Sequence, residues 1–162
     1  MIEYIGRTSV CPDDLQVRQV YGFLFADDGR VLIRVDGGKH SLPGGRPEPG
    51  ETTHAEILRR EVWEEVIMTI HDPHYIGYQA VDHHDGTPPY AQIRMVARIK
   101  DVHPIAPDPD NGRTYRRLLV APEQAGDLLN WTSGRNQLTA AAHAATTALQ
   151  LPIAASTTRT YI

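Results

Sequence analysis

Glu61, Glu64 and Glu65 stand three and four residues apart in the stretch EILRREVWEEV. On a helix that spacing brings three carboxylates to one side. At about 100° per residue they lie beside the apolar stripe of Ala55, Leu58, Val62 and Val66, not opposite it. Like charges so placed repel by a few tenths of a kcal/mol each when solvated, and by more when partly buried. A solvated acidic face tolerates that repulsion, but a hard divalent cation offsets it. Mg²⁺ in particular is held by a few carboxylates together with waters and substrate phosphates. The preceding loop, with Gly44, Gly45 and Gly50, can bring backbone close to such a site and aim a carbonyl at a metal or N–H groups at an anion.

Positioning these groups requires a helix over 53–67, opened by the capping-box pair Thr53 and Glu56. Strands are predicted at 17–25 and 31–35, joined as a hairpin through Asp27-Asp28-Gly29. Asp36-Gly37-Gly38 reads as a turn and Pro43-Gly44-Gly45 as loop. Further strands are predicted at 74–82, 90–100 and 114–120, with a Pro/Asp-rich loop at 103–112. Helices are expected at 122–129 and 136–150, the second stopped by Pro152. A single domain over 1–152 is expected, followed by a mobile tail at 153–162. This mixture gives an α/β or α+β sandwich.

The whole stretch 44–68 resembles the Nudix box, G-x5-E-x7-R-E-U-x-E-E-x-G-U, with U an aliphatic residue. Gly45 and Glu51 have the required spacing, Arg60 to Glu65 match R-E-U-x-E-E, and Leu42-Pro43-Gly44-Gly45 matches the usual entry. The resemblance implies an α/β/α sandwich with a mixed β-sheet. It also implies an enzyme, a pyrophosphohydrolase that splits a nucleoside diphosphate linked to another moiety: a nucleotide, nucleotide sugar or dinucleotide. Carried over by position, Glu61, Glu64 and Glu65 would hold Mg²⁺, or Mn²⁺ as a substitute, helped by the Gly44 carbonyl. Glu61 or Glu65 would take the proton of the attacking water. Arg60 would orient the carboxylates by ion pairing, with Glu56 and Glu64 each four residues away.

Two positions depart from the box. Eight residues separate Glu51 from Arg60 where the family has seven. Because Thr53 caps the helix, the extra residue falls at Glu51-Thr52 and leaves the helix register intact, but it is expected to displace the Glu51 carboxylate. Ile67 stands where the box has the glycine that ends the helix in a left-handed conformation. A β-branched residue there would be strained by about 1–2 kcal/mol, so the helix is expected to end differently, running on to Met68. These departures motivate the alternative of a non-catalytic Nudix-fold module that senses a nucleotide.

Other residues carry weaker signals. Arg18, Arg34, Arg94 and Tyr90 could contact substrate, and His40 could stack on a base. Glu48 could support the metal or be a loop charge. Asp108 and Asp110 sit where family members supply a further acidic ligand, although a turn-forming role is preferred for Asp-Pro-Asp. His83-His84-Asp85 has metal-binding residue types but reads as a hairpin turn. Trp63 and Ile67 form an outward apolar pair that would serve a homodimer or, as the preferred reading, be covered by the C-terminal helix.

The 162 residues carry a formal charge of −4, with no Lys/Arg cluster. Nucleic-acid polymers are therefore not expected as partners; a small nucleotide is the partner that the Nudix resemblance implies. No apolar run is long enough to span a membrane. The first fifteen residues show no secretory pattern, and Cys11 is the single cysteine. A cytoplasmic location is expected.

Overall fold

The computed structural model describes residues 1–6, 9–130 and 134–162. In chain order the elements are β1 (Ile2–Gly6), β2 (Gln16–Phe25), β3 (Val31–Asp36), β4 (Lys39–Ser41), β5 (Gly44–Gly45), α1 (His54–Val66), β6 (Met68–Ile70), β7 (His74–Val81), β8 (Tyr90–Val102), β9 (Arg116–Val120), α2 (Pro122–Leu129), α3 (Gly134–Thr147) and β10 (Thr160–Tyr161). The main sheet runs β1-β7-β8-β2-β3-β9-β10, with β4 on β3, β5 on β2 and β6 on β8. It is mixed because β2 and β8 are parallel while their other neighbours are antiparallel.

Side-chain alternation in the central strands builds two cores. Phe23 and Phe25 of β2, Ile33 and Val35 of β3 and Leu118 and Val120 of β9 pack with Ala125 and Leu129 of α2 and Leu138, Ala141, Ala144 and Ala145 of α3. From the opposite face Val20, Leu24, Leu32 and Leu119 pack with Ile57, Leu58, Val62 and Val66 of α1. The molecule is thus the expected α/β/α sandwich, with α1 alone on one layer. The C-terminal helix therefore lies across the sheet from Trp63 and cannot cover it. Trp63 stays 47% exposed, its ring meeting His103 edge-on at 5.3 Å, whereas Ile67 is buried.

The hairpin expected between β2 and β3 is reduced to one pair, Phe25 with Val31. Further along β2 the same side is taken by Gly44 and Gly45, which pair with Tyr21 and Val20 as a short strand where loop was expected. Glycine is required at 44: φ is +145°, and a Cβ would lie 2.1 Å from the Val20 carbonyl oxygen. At 45 a Cβ would lie 2.2 Å from Glu61 Oε1. The two glycines therefore let the sheet edge lie against the carboxylates of α1.

Helix α1 begins as its capping box predicts. The Glu56 N–H donates to Thr53 Oγ1 at 3.2 Å, and the Thr53 N–H donates to Glu56 Oε2 at 2.9 Å. The C-terminus corrects the expectation. Ile67 itself adopts the left-handed conformation, φ 48° and ψ 53°, and Met68 opens β6 instead of extending the helix. The chain around it leaves no alternative. The Ile67 N–H donates to the Trp63 carbonyl at 3.1 Å, its carbonyl accepts from the His103 N–H at 3.1 Å, and Arg117 donates to the Val66 carbonyl at 3.1 Å. Burying an isoleucine side chain contributes about 1.5–3 kcal/mol, which outweighs the left-handed strain of about 1–2 kcal/mol. Ile67→Gly is accordingly expected to lower stability by about 1 kcal/mol in urea unfolding. A rise in stability would mean that strain, not packing, dominates this position.

The tail is also fastened, contrary to expectation. Thr160 and Tyr161 pair with Leu119 and Leu118 of β9. Arg30 donates to the Thr158 carbonyl and Thr160 Oγ1, at 3.1 and 2.8 Å. Its partners are far away in sequence, so no local pattern announced them. Helix α3 ends at Thr147, short of the expected 150, and Gln150 beyond it is left-handed.

Candidate active site

Arg60 is the centre of the carboxylate cluster. Its Nε and Nη2 donate to the two Glu51 oxygens at 2.8 and 3.2 Å, forming a fork on one carboxylate. Its Nη1 donates to Glu61 Oε1 at 3.0 Å and Glu64 Oε2 at 2.8 Å, and lies 3.5 Å from Glu48 Oε1. Nη2 also donates to the Arg46 carbonyl at 2.8 Å. One guanidinium therefore gathers α1 and the loop before it. Glu51 reaches Arg60 despite the inserted residue, because the loop absorbs the extra length and the Glu48 N–H donates to Glu51 Oε2 at 2.7 Å. Glu56, the other expected partner of Arg60, is instead consumed by the helix cap.

The electrostatics separate these carboxylates. The Arg60 hydrogen bond holds Glu51 below the usual glutamate range. Burial pushes Glu61 and Glu64 up, outweighing the same guanidinium, and Asp110 adds to the rise at both. Among the described residues no donor is hydrogen-bonded to Glu61 Oε2 or Glu64 Oε1.

Glu65 is held differently. Its Oε2 accepts from the Gly44 N–H at 2.9 Å, and its Oε1 is ion-paired to Arg34. Arg34 also donates to Ser41 Oγ at 2.9 Å and lies over the Tyr115 ring at 4.6 Å. Asn111 Nδ2 donates to the Tyr115 hydroxyl and to Asp108 Oδ2, each at 2.9 Å. A continuous chain of contacts thus links Glu65 to the 108–113 loop. Within that loop the two aspartates divide. Asp108 is buried and accepts the Asp110 N–H at 2.8 Å, a turn-forming role. Asp110 is the one whose charge reaches Glu61 and Glu64.

The remaining sequence-derived candidates separate in space. Arg18 and Tyr90 line one polar cleft, the guanidinium 4.7 Å from the ring centroid. Arg94 is 1% exposed and bonds to Gln79, Gln92 and Gln137 inside the protein, beneath the Tyr21 ring, so it braces the sheet against α3. His40 is half-buried on β4 opposite Val35. His84 pairs with Asp82 in the β7–β8 turn, as a turn role predicts. Sequence reasoning passed over Arg46, whose place directly after the glycine pair was the available signal. It also passed over Tyr115 and Asn111, for which no signal existed.

A family model described as the NUDIX domain matches residues 15–142. The chain belongs to the Nudix family. No curated protein matches it in sequence. Solved Nudix-type structures resemble it in fold. A protein of Listeria monocytogenes classed as a NUDIX hydrolase superposes with a TM-score of 0.59 at 17% identity, covering 82% of this chain and 97% of that one. MutT from Aliivibrio salmonicida and Vibrio cholerae gives 0.54 at 16% identity, covering 78% and 96%. The pyrophosphohydrolase of Bacillus subtilis gives 0.53 at 18% identity, covering 64% of this chain and 62% of that chain's length. The Nudix box of this chain is the segment that Arg60 ties together, and its one missing glycine is replaced by a left-handed Ile67.

The donors of this box suit a hard divalent cation. They are carboxylate oxygens, two of them open, on residues whose negative charge is under-solvated. Among the described residues, however, no three acidic, His or Cys side chains are already gathered as a cage. Both Glu65 oxygens are occupied, and Arg60 supplies the positive charge.

Proposed function

We propose that this Nudix protein is a metal-dependent pyrophosphohydrolase of small nucleotide-type substrates, nucleoside diphosphates linked to a further group. The observation that supports it most is the Arg60-centred cluster, which presents Glu61 Oε2 and Glu64 Oε1 without donors while Glu65 is fixed beside them. Glu61 and Glu64, with Glu65 and the Gly44 carbonyl adjoining, would hold Mg²⁺, with Mn²⁺ as a substitute. The bound ion would neutralise phosphate charge and lower the pKa of the attacking water. Arg60 holds the Glu51, Glu61 and Glu64 carboxylates in place by hydrogen bonds. Glu61 or Glu65 would accept the proton of that water, and the Asp110 charge acts on Glu61 from the 108–113 loop. Cys11 as the single cysteine favours a cytoplasmic site of action, and no described helix is long and apolar enough to cross a membrane.

The test is a screen of nucleoside di- and triphosphates, dinucleotides and nucleotide sugars on metal-stripped protein. Turnover is expected only after Mg²⁺ or Mn²⁺ is added, and chelation should abolish it. Turnover that survives chelation would remove the metal from the mechanism. A nucleotide bound tightly and recovered intact in Mg²⁺ would instead favour a sensing module, the reading to which the occupied Glu65 oxygens lend weight.

A further inference from the structure

A cleft of about 570 Å³ is lined by Gln16, Val17, Arg18, Gln19, Arg46, Pro47 and Tyr90. It begins one residue from the carboxylate cluster. Arg46 follows Gly45, which lies against Glu61, and the Arg46 carbonyl is held by Arg60. The opposite wall contains an irregularity: β2 pairs with β8 at Val17–Ala91 and again at Gln19–Gln92, leaving Arg18 as the extra residue of a bulge. Bulges re-aim side chains and occur near functional sites, and this one turns Arg18 onto Tyr90.

The cleft is lined by two arginines. Arg30, Arg34, Arg59, Arg60, Arg98 and Arg113 each have a carboxylate partner. Arg94 and Arg117 are held by side-chain amides or carbonyls inside the protein, and Arg116 lies over the Tyr161 ring. Among the described residues Arg18 and Arg46, like Arg135 and Arg159, have no carboxylate within 4.0 Å, and of these Arg18 and Arg46 share the cleft. The polar contact of the Arg18 side chain is Gln16 Oε1 at 3.5 Å. Arg18 and Arg46 thus line one polar cleft in a protein of formal charge −4. The rest of the lining offers amides from Gln16 and Gln19. Arg18 covers one face of Tyr90, and the His83 ring is tilted toward it with centroids 6.1 Å apart, so no open aromatic slot waits for a base. Guanidinium forks in such a setting match phosphate oxygens.

We infer that Arg18 and Arg46 bind phosphate groups lying beyond the scissile pyrophosphate. The protein therefore selects substrates with three or more consecutive phosphates over nucleotide sugars, whose corresponding part is uncharged. This inference rests on the hydrolase reading above. The shared chemistry is the phosphate chain, carried by a nucleoside triphosphate or by a dinucleoside polyphosphate.

The experiment compares kcat/KM for a nucleoside triphosphate, a dinucleoside tetraphosphate and a nucleoside diphosphate sugar in Mg²⁺, using wild type, Arg18→Met and Arg46→Met. Wild type should favour one or both polyphosphates over the sugar, and each substitution should shrink that ratio about tenfold, chiefly through KM. Which polyphosphate is preferred separates the two sources. A wild type that prefers the nucleotide sugar, or variants that depress all substrates equally, would overturn the inference. If no nucleotide is cleaved at all, the hydrolase reading fails by itself, and inorganic tripolyphosphate then tests the cleft alone by calorimetry. Binding weakened at least about tenfold in the Arg18→Met/Arg46→Met double variant supports the cleft, and unchanged binding rejects it.

Discussion

Glu61→Gln is expected to lower kcat by a factor on the order of 10²–10³ while the fold persists, the scale seen when one electrostatic stabiliser of a transition state is lost. The substitution is nearly isosteric. The amide oxygen can still accept from Arg60 Nη1, and the close contact with Gly45 is kept. What disappears is a negative charge that burial already disfavours and that Glu64 and Asp110 repel. Removing it relieves that repulsion, so the thermal midpoint should stay level or rise slightly. The same change removes an anionic donor, so the stabilisation of the protein by added Mg²⁺ should shrink. Steady-state kinetics and thermal unfolding with and without Mg²⁺ read both effects. Unchanged turnover in Glu61→Gln and in Glu65→Gln would mean that the reaction is carried elsewhere on the molecule.

Arg60→Met should instead strike stability first. The guanidinium is 19% exposed and its carboxylate partners Glu51, Glu61 and Glu64 are 13–15% exposed, so these pairs are only weakly screened. Breaking a fully buried pair costs about 3–5 kcal/mol because a charge is left uncompensated. Partial exposure here reduces the expected loss to about 2 kcal/mol. Turnover should fall about 10–100-fold, the usual cost of losing a group that orients metal ligands. A divalent cation would replace the missing positive charge, so Mg²⁺ should stabilise Arg60→Met more than it stabilises wild type. Urea unfolding across a Mg²⁺ titration measures this. A variant as stable as wild type without metal would show that Arg60 does not hold the cluster together.

The two departures from the Nudix box illustrate how differently local and distant physics act. The inserted residue at Glu51-Thr52 could be placed in the loop from the capping box alone, because a cap is a contact over three residues. Its consequence could not be read that way. Glu51 returns to Arg60 because the loop from Arg46 to Glu51 folds on itself. Ile67 likewise looked incompatible with a left-handed helix end when judged by its own backbone preference. It holds that conformation because Trp63, His103 and Arg117, from three separate elements, fix the chain around it.

Glu61, Glu64 and Glu65 were determined as a group by the sequence itself. Helical periodicity, the Thr53 cap and the glycine pair are short-range features, and they suffice to put three carboxylates on the edge of α1 beside a close backbone. Only the tertiary structure decided that the three are unequal. Arg60 joins Glu61 to Glu64, while Arg34 and the Gly44 N–H claim Glu65. It likewise decided that Arg94 lies inside the sheet while Arg18 faces a cleft, although both are arginines on predicted strands. The physical reason is that a carboxylate or guanidinium takes its charge state and its role from whichever groups surround it. For Glu65 those groups come from β3 and β5, twenty or more residues away along the chain, whereas Arg60 reaches Glu61 and Glu64 from the same helix.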